Sequence, residues 1–450
     1  MREGCIVVLS AFFLILNLIN FAYATNGCGT GVECGSLPTD NCDVTQNTVF
    51  STGFYDLNSG IDICASNISL NCNSSVLNGT GELSAFIGIH VKNQSNITIW
   101  NCNIQNYQIA LRLEGSSNDR ILNNSISQNT QGIVLAEGAL GFSNNIIIQN
   151  NRLLNNRCFP LAPICSNIGI RLSNSDNNTI INNSIKSQYA EGPTSGGRSD
   201  GIDVRRSLNN TIMDNVIQNI SRINSLTTSS SVRLGPQSHA NLILNNTILD
   251  IGNFGIEVIG PSSFNVFFNN TIVNTSYGVY LNSTENNTAY HNNFINNSFN
   301  LKDNGSNFFN ISDEGNYYSN YDEETEGCFD ENVNGICDAN LGNDHFPFCN
   351  LNGWTLDFDV RSLSVINATG TERVFEFTIN NYANLSLANV SWSLETGQDM
   401  KNSTLPVTLT PYERLFVYVY HNYTASGTYI VTASAQGNGF RDVESIVIIV

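Results

Sequence analysis

Cations are scarce in this chain of 450 residues: 19 Lys and Arg stand against 38 Asp and Glu, a net charge of −19. That balance argues against nucleic acid as a partner. Ten of the acidic residues fall between Asp313 and Asp344, a stretch without a single Lys or Arg, so the excess is local. Histidine and methionine are also rare, at five and three residues, and neither forms a cluster. Few ligands are therefore on offer for a transition metal, and no motif asks for an organic cofactor. Helical spacing of apolar residues is missing over any useful length of the repeat region, which points away from helices. The C-terminal residues 446–450 are too few to cross a membrane.

The N-terminus is different. Arg2, the apolar run from Ile6 to Ile19, and Ala22-Tyr23-Ala24 read as a cleavable secretory signal over residues 1–24. Asn26 and Gly27 before Cys28 do not make a lipobox. The expectation is a secreted or cell-surface protein with no transmembrane anchor after signal cleavage. Of twelve Cys, Cys5 lies in the signal. Export makes disulfides the default for the remaining eleven, and their odd number implies a free or intermolecular thiol. Cys28, Cys34, Cys42, Cys64, Cys72 and Cys102 come early, Cys158 and Cys165 bracket a loop, and Cys328, Cys337 and Cys349 come late. The chain has 23 N-x-S/T sequons, among them Asn67, Asn123, Asn209, Asn296 and Asn422. They are candidate glycan acceptors, although an Asn-rich and Thr-rich repeat generates sequons by composition.

What is abundant is asparagine in pairs. Asn101-Cys102, Asn123-Asn124, Asn150-Asn151, Asn182-Asn183, Asp214-Asn215, Asn245-Asn246, Asn269-Asn270 and His291-Asn292 each stand two residues before a large apolar residue. Those residues are Ile104, Ile126, Leu153, Ile185, Ile217, Ile248, Ile272 and Phe294. The shortest spacing is 22 residues. A fixed minimum period of this size implies a stacked solenoid whose units cannot bury their apolar faces alone. Asn tolerates the left-handed conformation at a bend, and stacked amides can bond to one another along the axis.

Each repeat also carries a Gly-apolar-x-apolar strand. Examples are Gly88-Ile89-His90-Val91, Gly132-Ile133-Val134-Leu135, Gly169-Ile170-Arg171-Leu172, Gly201-Ile202-Asp203-Val204 and Gly255-Ile256-Glu257-Val258. Short alternating segments bounded by Gly, Asn and Ser are strand signals. Three short strands per coil of about 22 residues build a right-handed parallel β-helix. Three longer repeats carry extra residues at one turn, over 155–167, 187–200 and 218–231. Insertions that share a turn project from one face, often the binding face. Residues 25–84 read as a Cys-rich cap and first coils, 85–312 as the β-helix and 313–353 as an acidic connector. In the cap, Cys72 and Cys102 fall at the same register of successive coils, close enough for a bridge. Residues 354–450 carry alternating strands, 374–379, 390–394, 415–420, 428–433 and 444–449, spaced for a small antiparallel β-sandwich. Pro411 and Gly427 sit at its turns.

Residues 67–316 resemble the NosD-like family of right-handed β-helix proteins. The resemblance rests on Asn67-Ile-Ser-Leu-Asn-Cys72, Gly88-Ile-His-Val91, Asn96-Ile-Thr-Ile-Trp-Asn-Cys102, the Asn-Asn-Thr-Ile runs and Gly315-Asn-Tyr-Tyr-Ser-Asn-Tyr321. It implies the fold, which unrelated surface proteins and carbohydrate enzymes share. It also implies a link to copper delivery for nitrous oxide reductase, which the few His and Met here do not support. Residues 358–450 resemble the CARDB-type adhesion sandwich through Phe377-Thr-Ile-Asn-Asn381, Leu409-Thr-Pro-Tyr412 and Gly427-Thr-Tyr-Ile-Val431.

The variable position of the first strand points outward, because its apolar neighbours point in. Along the stack it reads His90, Arg112, Val134, Arg171, Asp203, Arg233, Glu257 and Tyr280. The insertions add Glu191, Arg198, Asp200 and Arg222. Carboxylates and arginines along a groove are what a glycan-processing β-helix needs. Asp200, Asp203 and Glu257 are the candidate catalytic carboxylates, and Arg171, Arg205, Arg233 and Tyr280 the candidate substrate-binding residues. Alternating signs on successive coils are equally what a structural ion ladder would show. Burial of these carboxylates in pairs with Arg171 and Arg233 would remove the basis for catalysis.

The segment Asp330-Glu-Asn-Val-Asn-Gly-Ile-Cys-Asp338 matches the start of an EF-hand-type calcium loop, with Asp330, Asn332, Asn334, Ile336 and Asp338 as ligands. Leu341 stands where a bidentate Glu would close the site. Asp344 could substitute for it, or Cys328 and Cys337 could hold the loop without metal. The expectation is a non-enzymatic exported protein whose β-helix face binds a polysaccharide or surface glycan, with an adhesion or spacing sandwich. The rival is a polysaccharide lyase, hydrolase or epimerase; a NosD-like metal-delivery accessory is the third reading.

Overall fold

In the computed structural model the chain forms two compact units, Met1–Thr288 with Asn296–Asn307, and Ala289–Ile295 with Phe308–Val450. The structure describes residues 28–29, 31–81, 86–157, 166–190, 197–222, 228–311, 315–329, 336–349, 351, 358–381, 387–403, 405–410, 414–437 and 440–450. The signal over 1–24, Cys158, Cys165, Glu191, Asp330, Asn332, Asn334 and Pro411 lie outside the described residues.

The first unit is a parallel β-helix with three strands to a coil. The first-strand stack includes Ile87–Lys92, Ile109–Glu114, Gln131–Ala136, Ser166–Ser173, Arg198–Arg205 and Thr228–Leu234, each parallel to the next. The first strand of each coil turns two apolar side chains to the axis, and each short strand turns one. Ile89, Leu111, Ile133, Ile170, Ile202, Val232, Ile256 and Val279 are 0% exposed, as are Ile126, Leu153, Ile185, Ile217, Ile248 and Ile272 after the Asn pairs. Burying such a side chain is worth about 1.5–3 kcal/mol, so the apolar columns are the main driving force of the stack. The glycine that opens the first strand has a packing reason. A Cβ on Gly255 would sit 2.5 Å from the Gly278 carbonyl oxygen and 2.6 Å from a methyl of Ile272.

The Asn pairs divide their labour. The first residue takes the left-handed conformation, with φ between 53° and 56° at Asn101, Asn123, Asn150, Asn182, Asp214, Asn245, Asn269 and His291. The second is buried and forms a ladder. The backbone N–H of Asn151 donates to Oδ1 of Asn183 at 2.9 Å, and its Nδ2 donates to the same oxygen at 3.1 Å. Asn124, Asn183, Asn215 and Asn246 repeat both bonds to their successors. A second ladder, at another corner, runs through Asn178, Asn210, Asn241, Asn265, Asn287 and Asn307.

At the N-terminal end, Cys28–Cys64 and Cys34–Cys42 are disulfides, and Cys72–Cys102 joins successive coils with Cα atoms 4.7 Å apart. The expected insertions are shorter than their sequence limits. Ser166–Asn167, Arg198–Asp200 and Thr228–Ser231 are strand, and Tyr189–Ala190 pairs in parallel with Ser221–Arg222.

The second unit holds two antiparallel sheets. Phe358–Thr369, Glu372–Asn381 and Arg414–Asn422 form one. Leu387–Glu395, Met400–Asn402, Val407–Leu409, Thr428–Gly437 and Phe440–Ile449 form the other. Phe375, Phe377, Ile379, Val390, Leu394, Val431 and Ala433 fill their shared core at 0% exposure. The strand Phe358–Thr369 and the two short strands at 400–402 and 407–409 carry no clear alternation and are additions to the sequence expectation. No helix among the described residues is long and apolar enough to cross a membrane.

Candidate functional site

Strand register places the outward column as the alternation implies: His90 beside Arg112, Arg112 beside Val134, then Arg171, Asp203, Arg233, Glu257 and Tyr280. Asp62 stands beside His90 at the start of the column. A second outward column lies just before the glycine position of each coil: Gln131, Ile168, Asp200, Ser230, Phe254 and Tyr277. That position is readable in sequence as the residue preceding Gly132, Gly169, Gly201, Gly255 and Gly278. Its chemistry changes at every coil, so no single residue type marks it.

Four arginines and three carboxylates meet across four coils. Asp203 is fully buried. It receives Arg205 Nε at 2.8 Å, Arg171 Nε at 3.3 Å and an Arg233 guanidinium nitrogen at 3.1 Å. Asp200, also fully buried, takes two parallel hydrogen bonds of 3.1 Å from Arg198. Arg198 reaches on to Glu257 at 2.5 Å and Ser230 Oγ at 3.1 Å, and Ser230 donates to Glu257 at 2.9 Å. Arg233 Nε stands 3.4 Å from Glu257. The structure thus brings together all three candidate catalytic residues, Asp203 and Glu257 as ion-pair partners of candidate binding arginines and Asp200 as the partner of Arg198.

The two aspartates are pushed apart in acidity. Burial works to raise Asp203, but the guanidiniums of Arg171, Arg205 and Arg233 outweigh it and hold the carboxyl below the usual range. Burial dominates at Asp200, with the negative charge of Asp203 adding to it, and its carboxyl is raised despite Arg198. Asp203 stays ionised and fully engaged. It is not placed to act as a base or nucleophile on a molecule in solvent, because three guanidiniums occupy its oxygens. Asp203 is thus buried in pairs with Arg171 and Arg233, whereas Asp200 is paired with Arg198 and Glu257 with Arg198 and Arg233.

Beyond Glu257 the same face turns aromatic. Tyr280 stacks on Phe254 at 4.9 Å between ring centres, Phe254 on Tyr277 at 5.5 Å, and Tyr277 on Phe299 at 5.0 Å. Only Tyr280 of this cluster belongs to the column expected from sequence. Toward the N-terminal end, His90 lies between Asp62 at 3.2 Å and Glu114 at 3.4 Å, and Glu114 also pairs with Arg112. Burial opposes protonation of His90, but its two acidic neighbours win and raise it. Glu114 is lowered to about 2 by His90 and Arg112, against burial.

For the calcium loop, only Ile336 and Asp338 of the proposed ligands are described. Asp344 Oδ2 accepts the backbone N–H of Asn316 at 2.8 Å, Asn316 Nδ2 at 3.0 Å and the Tyr318 hydroxyl at 2.8 Å. It is the last rung of the Asn292–Asn316 amide ladder. Cys328 and Cys337 are joined as a disulfide.

The profile of the NosD family, described as a periplasmic copper-binding protein, matches residues 40–233 and 197–323. The chain belongs to the NosD family. Four disulfides among the described residues agree with that periplasmic description, and the protein is extracytoplasmic. No curated protein matches the chain. Solved structures similar to it include the tailspike protein of an E. coli bacteriophage in complex with a pentasaccharide. It has 10% identity over 92% of this chain and 84% of the other, and a TM-score of 0.42. An exopolygalacturonase from Thermotoga maritima has 9% identity over 57% of this chain and 77% of the other, at a TM-score of 0.37. The mannuronan C-5 epimerase A-module of Azotobacter vinelandii has 13% identity over 57% and 84%, at 0.35.

Among the described residues, three of the five histidines of this NosD-family chain are engaged with other side chains. His90 is held by carboxylates, His239 contacts Ser263 and His421 contacts Thr396. Among the described residues the one group of three close enough to share an ion is Cys328, Cys337 and Cys349, and two of those sulfurs are bonded to each other.

Proposed function

We propose that this NosD-family protein binds an acidic polysaccharide along the first-strand face of its β-helix, without turning it over. The observation that carries this reading is the run of four arginines beside the ring cluster of the next coils. Arg171, Arg198, Arg205 and Arg233 against Asp200, Asp203 and Glu257 give four positive and three negative charges, an excess of one, in a chain whose net charge is −19. Arg205 is 36% exposed and Arg171 20%, so their outer N–H groups can reach a ligand while their carboxylate partners stay buried. Guanidinium groups match carboxylates in bidentate geometry. Phe299, 57% exposed, with Tyr277 and Tyr280 beside it, supplies apolar ring surface of the kind that packs on sugar C–H faces. The C-terminal sandwich, with its CARDB-like sequence, acts in this proposal as an adhesion or spacing module.

The test is a glycan array followed by titration with polygalacturonate and with a neutral glucan of equal length. Arg205→Ala and Tyr280→Ala each weaken polygalacturonate binding about tenfold or more, and the neutral glucan binds weakly throughout. Equal affinity for both polymers would sink the proposal. A second reading, a lyase, hydrolase or epimerase, is favoured by one observation, the opposite displacement of the Asp200 and Asp203 acidities. New reducing ends or unsaturated products from a bound polymer would establish it.

A further inference from the structure

The second unit contains a chemical cluster that glycan binding leaves unused. Cys328 and Cys337 form a disulfide with Cα atoms 4.8 Å apart, and both are buried, at 3% and 2% exposure. Cys349 carries a thiol and is half-buried. Its sulfur and the two bridged sulfurs all lie within 4.8 Å of one another. Backbone bonds fix this proximity. The N–H of Cys337 donates to the Pro347 carbonyl at 2.8 Å, and Phe348 N–H donates to the Asn316 carbonyl at 2.9 Å. Ile336 and Phe348 form an antiparallel bridge. The segment carrying Cys349 is thereby held against the segment carrying Cys337, and Cys328 is brought in by its disulfide.

We propose that Cys328, Cys337 and Cys349 form a thiol–disulfide exchange site. In the internal step the Cys349 thiolate attacks one bridged sulfur, for instance that of Cys337. A Cys337–Cys349 bond forms, the Cys328–Cys337 bond breaks, and Cys328 leaves as a thiolate that takes up a proton. One disulfide and one thiol enter and one of each leaves, so no oxidant or reductant is consumed. Attack on Cys328 instead gives the Cys328–Cys349 bond and frees Cys337. Either way the cluster presents a thiol at a different place from the one it started with. The thiolate, not the thiol, is the attacking species, and an ordinary thiol is mostly protonated at pH 7. Exchange is therefore slow at neutral pH and quickens as the pH rises.

The experiment uses the full chain, equilibrated at pH 7 and at pH 8.5 in a glutathione buffer, then quenched with acid and alkylated with N-ethylmaleimide. No Lys or Arg lies between Lys302 and Arg361, so Glu-C and chymotrypsin, not trypsin, are needed to separate the three cysteines before mass spectrometry. We expect peptides linking Cys349 to Cys328 or Cys337 alongside the Cys328–Cys337 peptide, in a fraction that approaches its final value faster at pH 8.5. Cys328→Ser should yield a Cys337–Cys349 bridge, Cys337→Ser a Cys328–Cys349 bridge, and Cys349→Ser a single species. Wild-type protein in which Cys349 is alkylated in every molecule, with Cys328–Cys337 as its sole bridge at both pH values, overturns the proposal. So does a folded Cys328→Ser chain in which both remaining sulfurs are alkylated.

Discussion

Asp119 stands where the second amide ladder should have a rung, and replacing it with Asn should stabilise the β-helix in a pH-dependent way. Strand register puts Asp119 beside Ile146, and Ile146 beside Asn178, the first asparagine of that ladder. Asp119 Oδ1 accepts the Ile97 N–H at 2.8 Å, as Asn178 Oδ1 accepts the Ile146 N–H at 2.9 Å. The second atoms differ. Asn178 Nδ2 donates to the Ser143 carbonyl at 3.1 Å, whereas Asp119 Oδ2 is buried with no hydrogen-bond partner. Burial pushes the Asp119 carboxyl from 3.8 up to about 7, against the Ile97 hydrogen bond. A group with a raised folded-state value binds a proton more tightly when folded, so its ionisation destabilises the fold progressively as the pH rises from about 4 to about 7. Three units at 1.36 kcal/mol each make the ionised carboxylate a cost of about 4 kcal/mol above pH 7, and none below pH 4. Asp119→Asn removes that cost and adds an amide donor worth about 1 kcal/mol. Urea unfolding of both proteins, each in a Trp354→Phe, Trp392→Phe background that leaves Trp100 as the sole tryptophan, at pH 4, 6 and 8, followed by circular dichroism and by Trp100 emission, measures the difference. We expect near equality at pH 4 and a gain of several kcal/mol at pH 8. A gain that does not change with pH, or a loss at pH 8, would refute the reasoning.

Three further outcomes follow from the same geometry. Asn183→Leu should lower stability by about 1–3 kcal/mol in urea, because it strands the buried Asn151 N–H and removes the amide bond to the Ile148 carbonyl, while Asn151 Nδ2 keeps the Ile121 and Gln149 carbonyls. Gly255→Ala should cost about 1–3 kcal/mol and lower the melting temperature, because the new methyl meets the fixed Gly278 carbonyl. His90→Gln should destabilise in acid and not in base. The raised His90 stabilises the fold below its ordinary value of 6.5, and that contribution is lost as the pH climbs through the raised one, so thermal melts at pH 5.5 and pH 9 separate the two cases.

The coil was legible because every strand must bury apolar side chains at fixed positions, and burial leaves a period that composition cannot disguise. Ile126, Leu153 and Ile185 repeat that demand two residues after each Asn pair, and the outward column follows from it by alternation. The second ladder was harder to see. Its buried member is Asn from coil to coil, but the left-handed residue before it varies from Asn177 and Asn209 to Ala240 and Phe264, so the paired signature breaks. Asp344 keeps the pair signature, as Asn343-Asp344 two residues before Phe346, but an aspartate in an acidic stretch reads equally as a metal ligand. The burial of Asp203 was not legible at all. Alternation shows which way a side chain points, not what covers the face it points to.

That face also holds the best argument that its charges are more than scaffold. In earlier coils each column also holds aliphatic side chains: Ile87 and Ile109 in the second and Val134 in the first pack together at 4% exposure or less. Single positions of this face are therefore filled by aliphatic side chains in some coils and by ions in others, at unchanged register. An aliphatic solution avoids the desolvation of seven charged groups, and replacing buried ion pairs with apolar residues is often neutral or stabilising. Folding alone gives no reason to keep Arg171 and Arg233 in a column where Val134 fits one coil before Arg171. A requirement outside the fold does, and a ligand with carboxylates that the outer guanidinium edges can grip would supply one. On this argument Arg171→Ile combined with Asp203→Val, Arg205→Ala and Arg233→Val should fold with little or no loss in urea stability and lose acidic-polysaccharide binding. A variant that unfolds would return the network to the scaffold.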